Sequence, residues 1–398
     1  MNKKLKTRKV TYFKNNKQPI TLLRACQLAL GAVMLILTAG WHPAYAAPRV
    51  YLTTFNDTLA IADPTIFVSR GSYYLIGTSG DKTVGAGFKL YSSKDLKTWH
   101  RVVKPGHPDY LALDSSHSFG NKGFWAPQIL KTATKGPGLP YFLIAYTANE
   151  QIAIARAGQI TGPFTQADVK DHTSGFAPLF KDGFKHIDPF IFTDPASKKT
   201  YIYYVKLDHG NNIYVSELQQ TRKLKSGQAA PNYPYSIVPG TETPCIKATE
   251  SWENTAGADW PVTEGPTVVY HDGFYYLFYS ANDFRNPDYA VGYAVSSSPT
   301  GPWTKAAVSP VISRKNTGLA GCGHGDVFQD TKGQFYYVFH AHNSAQKVAP
   351  RKTYLIAFRF VPATVKNKAR TALDANAKVP ALIQMDYKSV RPLLKANH

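Results

Sequence analysis

The chain has 398 residues, 13% of them aromatic, three cysteines and a formal net charge of +20. That allows one large domain or two ordinary ones with ample material for a core, and the absence of any C-x-x-C pair gives no support to a zinc or redox motif. The charge alone would suit a nucleic-acid partner, but no Gly-rich phosphate loop and no groove-binding helix dense in Arg and Lys can be found, and removing the eight cations of residues 1–46, a stretch with no acid, lowers +20 to +12.

Residues 1–46 read as a signal peptide. A long basic start precedes the apolar run "LALGAVMLILTAG" from Leu28 to Gly40, and Ala44 and Ala46 flank Tyr45 in a small-residue cleavage pattern. The run falls short of the ~20 apolar residues a spanning helix needs; an uncleaved anchor is the alternative reading. Cys26 precedes the run and is misplaced for a lipoprotein anchor. The expectation is bacterial export to the periplasm or medium, with no membrane attachment after cleavage and residues 47–398 forming one domain. Cys245 and Cys322 remain there, compatible with a bridge or with two free thiols.

Five segments then share one plan: a short polar or Pro-containing entrance, a β-branched and aromatic strand, a turn and a second aromatic strand. In chain order they are "ADPTIFVSRGSYYLIGTSG" from Ala62, "APQILKTATKGPGLPYFLIAYTAN" from Ala126, "IDPFIFTDPASKKTYIYYVK" from Ile187, "VTEGPTVVYHDGFYYLFYSAN" from Val262 and "GHGDVFQDTKGQFYYVFHAH" from Gly323. "SRGS", "HDGF" and "DTKGQ" are hairpin signals. The intervals of about 60 to 75 residues suit a four-stranded antiparallel blade with its loops. Further strands follow most hairpins, and long amphipathic helices of the kind a doubly wound fold requires are hard to find. The prediction is an all-β chain, a five-bladed β-propeller of four-stranded antiparallel blades, with stacked sandwiches as the runner-up. Residues 361–398 carry no motif and are expected to close the ring or to lie at its periphery.

In a propeller the innermost strands line the axis, so residues at their entrances converge at one mouth. Asp63, Asp188 and Glu264 are read as occupying the same place in three repeats. Asp63 and Asp188 precede proline, and Glu264 precedes Gly265-Pro266. Proline stiffens a strand entrance, although Asp-Pro is also a common way to begin a turn. Carboxylates confined together push one another's pKa values apart, so one can serve as acid and another as base, the equipment of glycoside hydrolysis. Phe124, Trp125, Trp252 and Trp260 offer flat surfaces for sugar rings, or ordinary packing.

The elements "ADP", "FWAPQI", "HIDPFIFTD", "TEGP…GFYYLFYSAN" and "GHGDVF", in this order over residues from about 55 to 360, resemble glycoside hydrolase family 43. The resemblance implies an inverting enzyme acting mostly on α-L-arabinofuranosides or β-D-xylosides. By motif, Asp63 would be the general base, Asp188 would tune and hold the acid, and Glu264 would be the general acid. His324 in "GHGD" would help seat a hydrated axial ion, often Ca2+, or be a structural histidine. Phe124, Trp125, Ile187, Asn282 and Arg351 are the candidate substrate contacts. His340 and His342 lie on one face of a strand, suited to substrate contact or to a structural role. "SWENTAGADWPVTEGP" favours terminal α-L-arabinofuranose in a plant-type polysaccharide or oligosaccharide. β-D-xylosidase and endo-arabinanase are the enzymatic alternatives, and a non-catalytic glycan-binding propeller is the alternative of another class.

Overall fold

Three of the hairpins turn on two residues that both have positive φ: Arg70-Gly71 (47° and 71°), Asn149-Glu150 (52° and 56°) and Asp272-Gly273 (47° and 90°). This is the type I′ geometry, whose twist matches that of the flanking strands. It sets the pairings Ser69↔Ser72, Ala148↔Gln151 and His271↔Phe274. The structure, a computed structural model, describes residues 57–79, 87–132, 142–166, 176–221, 232, 234–363 and 378–396. The expected signal peptide lies outside the described residues.

Five antiparallel sheets follow one another along the chain as the blades of a propeller. Blade 1 contains Ile61–Ser69, Ser72–Ser79, Leu90–Ser93 and Thr98–Arg101. Blade 2 has three strands, Trp125–Lys131, Phe142–Ala148 and Gln151–Ala157, with Thr165 bridging Arg156 at its outer edge. In blade 3, His186–Thr193, Thr200–Leu207 and Asn211–Gln220 are followed by two short strands, Tyr235–Ile237 and Thr243–Ile246, which pair with different parts of the third. Blade 4 is Thr263–His271, Phe274–Ala281, Ala290–Ser296 and Thr304–Lys305. Blade 5 is Gly323–Gln329, Phe335–Ala341, Lys352–Val361 and Leu382–Pro392. Leu394–Lys395 then runs parallel to Thr98–Arg101, joining the end of blade 5 to the outer edge of blade 1.

The second strands carry apolar residues on both faces because each is covered by a blade on either side. Phe274–Ala281, for example, is buried at every position after its first. Five apolar clusters result among the described residues, one at each junction of neighbouring blades. Tyr276 and Phe278 of blade 4 meet Tyr337 and Phe339 of blade 5, and Leu75 of blade 1 meets Val338 and Leu355 of blade 5. Burying each such side chain contributes roughly 1.5–3 kcal/mol, so the ring is held mainly at its junctions.

Each inner strand enters through one left-handed residue: Asp63 (φ 48°), Ala126 (43°), Asp188 (56°), Gly265 (59°) and His324 (39°). Pro64, Pro127, Pro189 and Pro266 follow the first four, and Gly325 follows the fifth. The hairpin register breaks at each of these points. A left-handed residue other than glycine costs roughly 1–2 kcal/mol, and a bond from the preceding blade helps hold it. Thr78 Oγ1 accepts the Ala126 N–H at 3.0 Å, Thr147 Oγ1 that of Asp188 at 2.9 Å and Ser280 Oγ that of His324 at 2.7 Å. The Asp63 N–H meets His340 Nδ1 at 3.1 Å, and the Gly265 N–H donates to the Asp188 carboxylate at 3.1 Å.

Candidate active site

These entrances correct the expected register of the three acids. Asp63 and Asp188 are themselves the left-handed residues, but in blade 4 that place belongs to Gly265. Glu264 stands one residue earlier, where blades 2 and 3 have Trp125 and Ile187. Glycine is required beside it for space as well as for φ: a Cβ on Gly265 would lie 2.8 Å from ring carbons of His324. The longer glutamate side chain compensates for its different starting point, and all three acids are buried around the axis.

Two donors and two imidazoles surround the Asp63 carboxylate. Arg351 Nη1 donates to Oδ1 at 2.9 Å and Thr78 Oγ1 to Oδ2 at 2.6 Å, while His340 Nδ1 and His324 Nδ1 lie 3.2 and 3.4 Å from Oδ1. Burial by itself would raise this carboxyl group, but Arg351, His324 and His340 together hold it well below the usual range. Burial and the Arg351 charge push His340 down to about 3, so its imidazole is neutral. Burial likewise lowers His324.

Glu264 has weaker company. Tyr289 donates to Oε1 at 2.8 Å and Asn211 Nδ2 to Oε2 at 3.1 Å. The Asn211 amide is oriented by Trp260, whose Nε1–H donates to its Oδ1 at 2.9 Å. Burial, reinforced by the Asp63 charge, raises Glu264 to about 7 against the opposing effect of these two hydrogen bonds. Asp188 is also pushed well up, by burial and then by the charges of Glu264 and Asp63. Asp188 and Glu264 therefore titrate as a pair.

The arrangement keeps one carboxylate ionised and another protonated near neutrality, as a base and an acid acting together require. The pH dependence follows with a definite sign. A base held ionised places the acid limb of kcat/KM below the ordinary aspartate range. Loss of the Glu264 proton places the alkaline limb near 7. Above that limb, kcat/KM is expected to fall on the order of tenfold per pH unit; a pH–rate profile checks both limbs.

Of the expected substrate contacts, Arg351 sits directly on Asp63 and stacks on Phe284 at 4.6 Å. Trp125 is 38% exposed, and Ile187 is half-buried beside Asp188. Two of the expected contacts are corrected. Phe124 stacks inward on Tyr146 at 5.8 Å and 7°, and Asn282 spends its amide on Thr255, Trp252 and Asp288. Trp252 is likewise packed on Tyr279, whereas Trp260 is 48% exposed. Asn211, Tyr289 and Thr78 were not singled out from sequence: Asn211 opens the third strand of blade 3, Tyr289 lies just before a strand of blade 4 and Thr78 stands near the end of the second strand of blade 1, and local pattern does not show that they meet the acids. His342 Nε2–H donates to the Phe284 carbonyl, 2.8 Å away. Cys245 and Cys322 are free thiols. Asp182, His186 and Glu242 gather their side chains on blade 3, but the Lys206 ammonium, 2.7 Å from Glu242, already supplies a cation there.

Fold and site together define a propeller with a buried three-carboxylate centre, the equipment of a hydrolase that cleaves glycosidic bonds. The chain belongs to the glycosyl hydrolases family 43, whose model matches residues 58–362, and it is accordingly a glycosidase. A crystal structure of an endo-1,4-β-xylanase from Bacteroides thetaiotaomicron is 32% identical with a TM-score of 0.67, the alignment covering 86% of this chain and 99% of that one. An extracellular exo-α-(1→5)-L-arabinofuranosidase from Streptomyces avermitilis is 25% identical over 79% of this chain and 62% of its own length. A β-D-galactofuranosidase from Aspergillus niger is 23% identical over 70% of this chain and 73% of its own. Among the described residues no helix is long and apolar enough to cross a membrane.

Proposed function

We propose that the protein is an exported, inverting α-L-arabinofuranosidase acting on terminal residues of plant-type polysaccharides or oligosaccharides. The observation that carries the mechanism is the opposite displacement of two buried carboxyl groups, Asp63 downward and Glu264 to about 7. Asp63 takes a proton from the attacking water, and Glu264 gives one to the leaving oxygen. Tyr289 and Asn211 then hold the glutamate that remains. Arg351 keeps Asp63 ionised, and the Asp63 charge in turn opposes early loss of the Glu264 proton.

The arabinose assignment is supported by the run before Glu264 and by the Streptomyces relative. β-D-Xylosidic action is the second reading, favoured by the similarity to the Bacteroides xylanase along nearly its whole length. Paired 4-nitrophenyl α-L-arabinofuranoside and β-D-xyloside assays, with product analysis on arabinan, arabinoxylan and xylo-oligosaccharides, test the substrate. NMR of the first-formed anomer tests the mechanism: an anomer matching the substrate's would remove Asp63 as base.

Calcium at His324 belongs to the same proposal. The axial cavity, about 20 Å3, is lined by His324 and Asp326, and the Asp326 carboxylate already accepts from Thr65 and Thr267. Calcium takes about six to eight oxygen ligands; His324 offers none and the Asp326 carboxylate is already engaged, so an ion here would bring most of its ligands as water and would supply positive charge near Asp63 and Asp188. Chelation is expected to lower Tm and calcium to restore it. An unchanged Tm together with elemental analysis free of calcium would return His324 to a structural role. Export predicts secreted protein beginning near Ala47, read by N-terminal sequencing; an intact Met1 chain in the membrane fraction would mean an anchor.

A further inference from the structure

Blade 3 carries a second cavity, of about 590 Å3, whose lining includes Asp208, His209, Asn212, Tyr214, Lys247 and Pro261. Pockets of roughly 300–1,000 Å3 accommodate small organic ligands. This one adjoins the acid. Pro261 lies three residues before Glu264, and its carbonyl accepts the Asn211 N–H at 2.9 Å. Asn211 in turn donates through its side chain to Glu264 at 3.1 Å and accepts from the half-exposed Trp260.

We propose that this cavity binds the neutral pentose units on the leaving side of the scissile bond. The proposal rests on the reading of Glu264 as general acid, since the sugar whose oxygen it protonates departs on its side. The chemistry of the walls agrees. Asp208 and His209 pair with each other, Oδ1 to Nδ1 at 2.7 Å, which leaves the second Asp208 oxygen as an acceptor and the other His209 ring nitrogen and the exposed Lys247 ammonium for hydroxyl groups, and the single acid and the single lysine cancel in charge. Such a mixed set suits hydroxyl groups and gives no preference to phosphate or uronate. Asn212 uses its side-chain N–H groups on the Asp208 and Gly210 carbonyls, at 2.8 and 3.5 Å, which braces the wall without filling the cavity.

The test compares kcat/KM for oligosaccharides of increasing length with that for the 4-nitrophenyl glycoside of the same pentose, arabinose or xylose. In the wild type, kcat/KM is expected to rise with length beyond the disaccharide. A double variant, His209→Ala with Lys247→Ala, is expected to reduce kcat/KM for the longest oligosaccharide about tenfold more than for the aryl glycoside. Asp208→Asn, a second variant that keeps the side-chain shape, is expected to change the same ratio in the same direction. Aryl-glycoside turnover with no dependence on oligosaccharide length, or equal losses on both substrates, would overturn the cavity's role while leaving the glycosidase reading intact. Failure to turn over either pentose's aryl glycoside would overturn both.

Discussion

Glu264→Gln is expected to lose about 10²–10⁴-fold of kcat on natural glycosides, whose alkoxide leaving groups need a proton, and far less on 4-nitrophenyl glycosides, which need little. The amide keeps the shape and one acceptor for Tyr289, so the fold should survive and Tm is the control. The alkaline limb near 7 should disappear from the variant's profile on the activated substrate, because the group responsible for it has gone. Equal losses on both substrates, with the limb retained, would show that another residue is the acid.

Asp63→Asn should be at least as damaging and different in kind. No water is activated in it, so natural and activated substrates should both lose activity, again by about 10²–10⁴-fold or more. Azide should not rescue it with formation of a retained glycosyl azide, because an inverting site forms no glycosyl-enzyme. The corresponding geometric expectation is a separation of roughly 6.5–9.5 Å between the Asp63 and Glu264 carboxyl groups, against about 5 Å for retention. A retained azide product, or preserved turnover of the activated substrate, would overturn the assignment of Asp63.

The architecture was legible because strand pattern and turn chemistry recur. "SRGS" and "HDGF" are seen as two-residue type I′ turns, and aromatic runs such as "FYYLFYSA" are buried on both faces because a blade lies on each side. Among the described residues, blade 2 departs from the four-strand expectation, with the Thr165 bridge at its outer edge. The acids were identifiable by their positions before proline and glycine-proline, but their register was not. Aligning the carboxylates conceals the repeat, whereas aligning Pro64, Pro127, Pro189 and Pro266 exposes Gly265 as the counterpart of Asp63. Phe124 and Asn282 adjoin telling motifs, but neighbours brought in by the fold, Tyr146, Thr255 and Asp288, claim them. Asn211, Tyr289 and His340 depend on how strands from separate parts of the chain meet, and local pattern does not encode that meeting.

The surroundings of Asp63 also impose an order on the making of the enzyme. The aspartate belongs to the first blade synthesised, yet Arg351, His340 and His324, the groups that hold it ionised, all belong to blade 5 or the loop within it. Thr65 reaches the same late-made blade through Asp326, 261 positions away. A ribosome-bound chain can therefore contain Asp63, Asp188 and Glu264 without having a working base. Chemical competence arrives with the last blade, so a chain cut before Arg351 would retain all three acids and still lack the cation that makes the first of them useful.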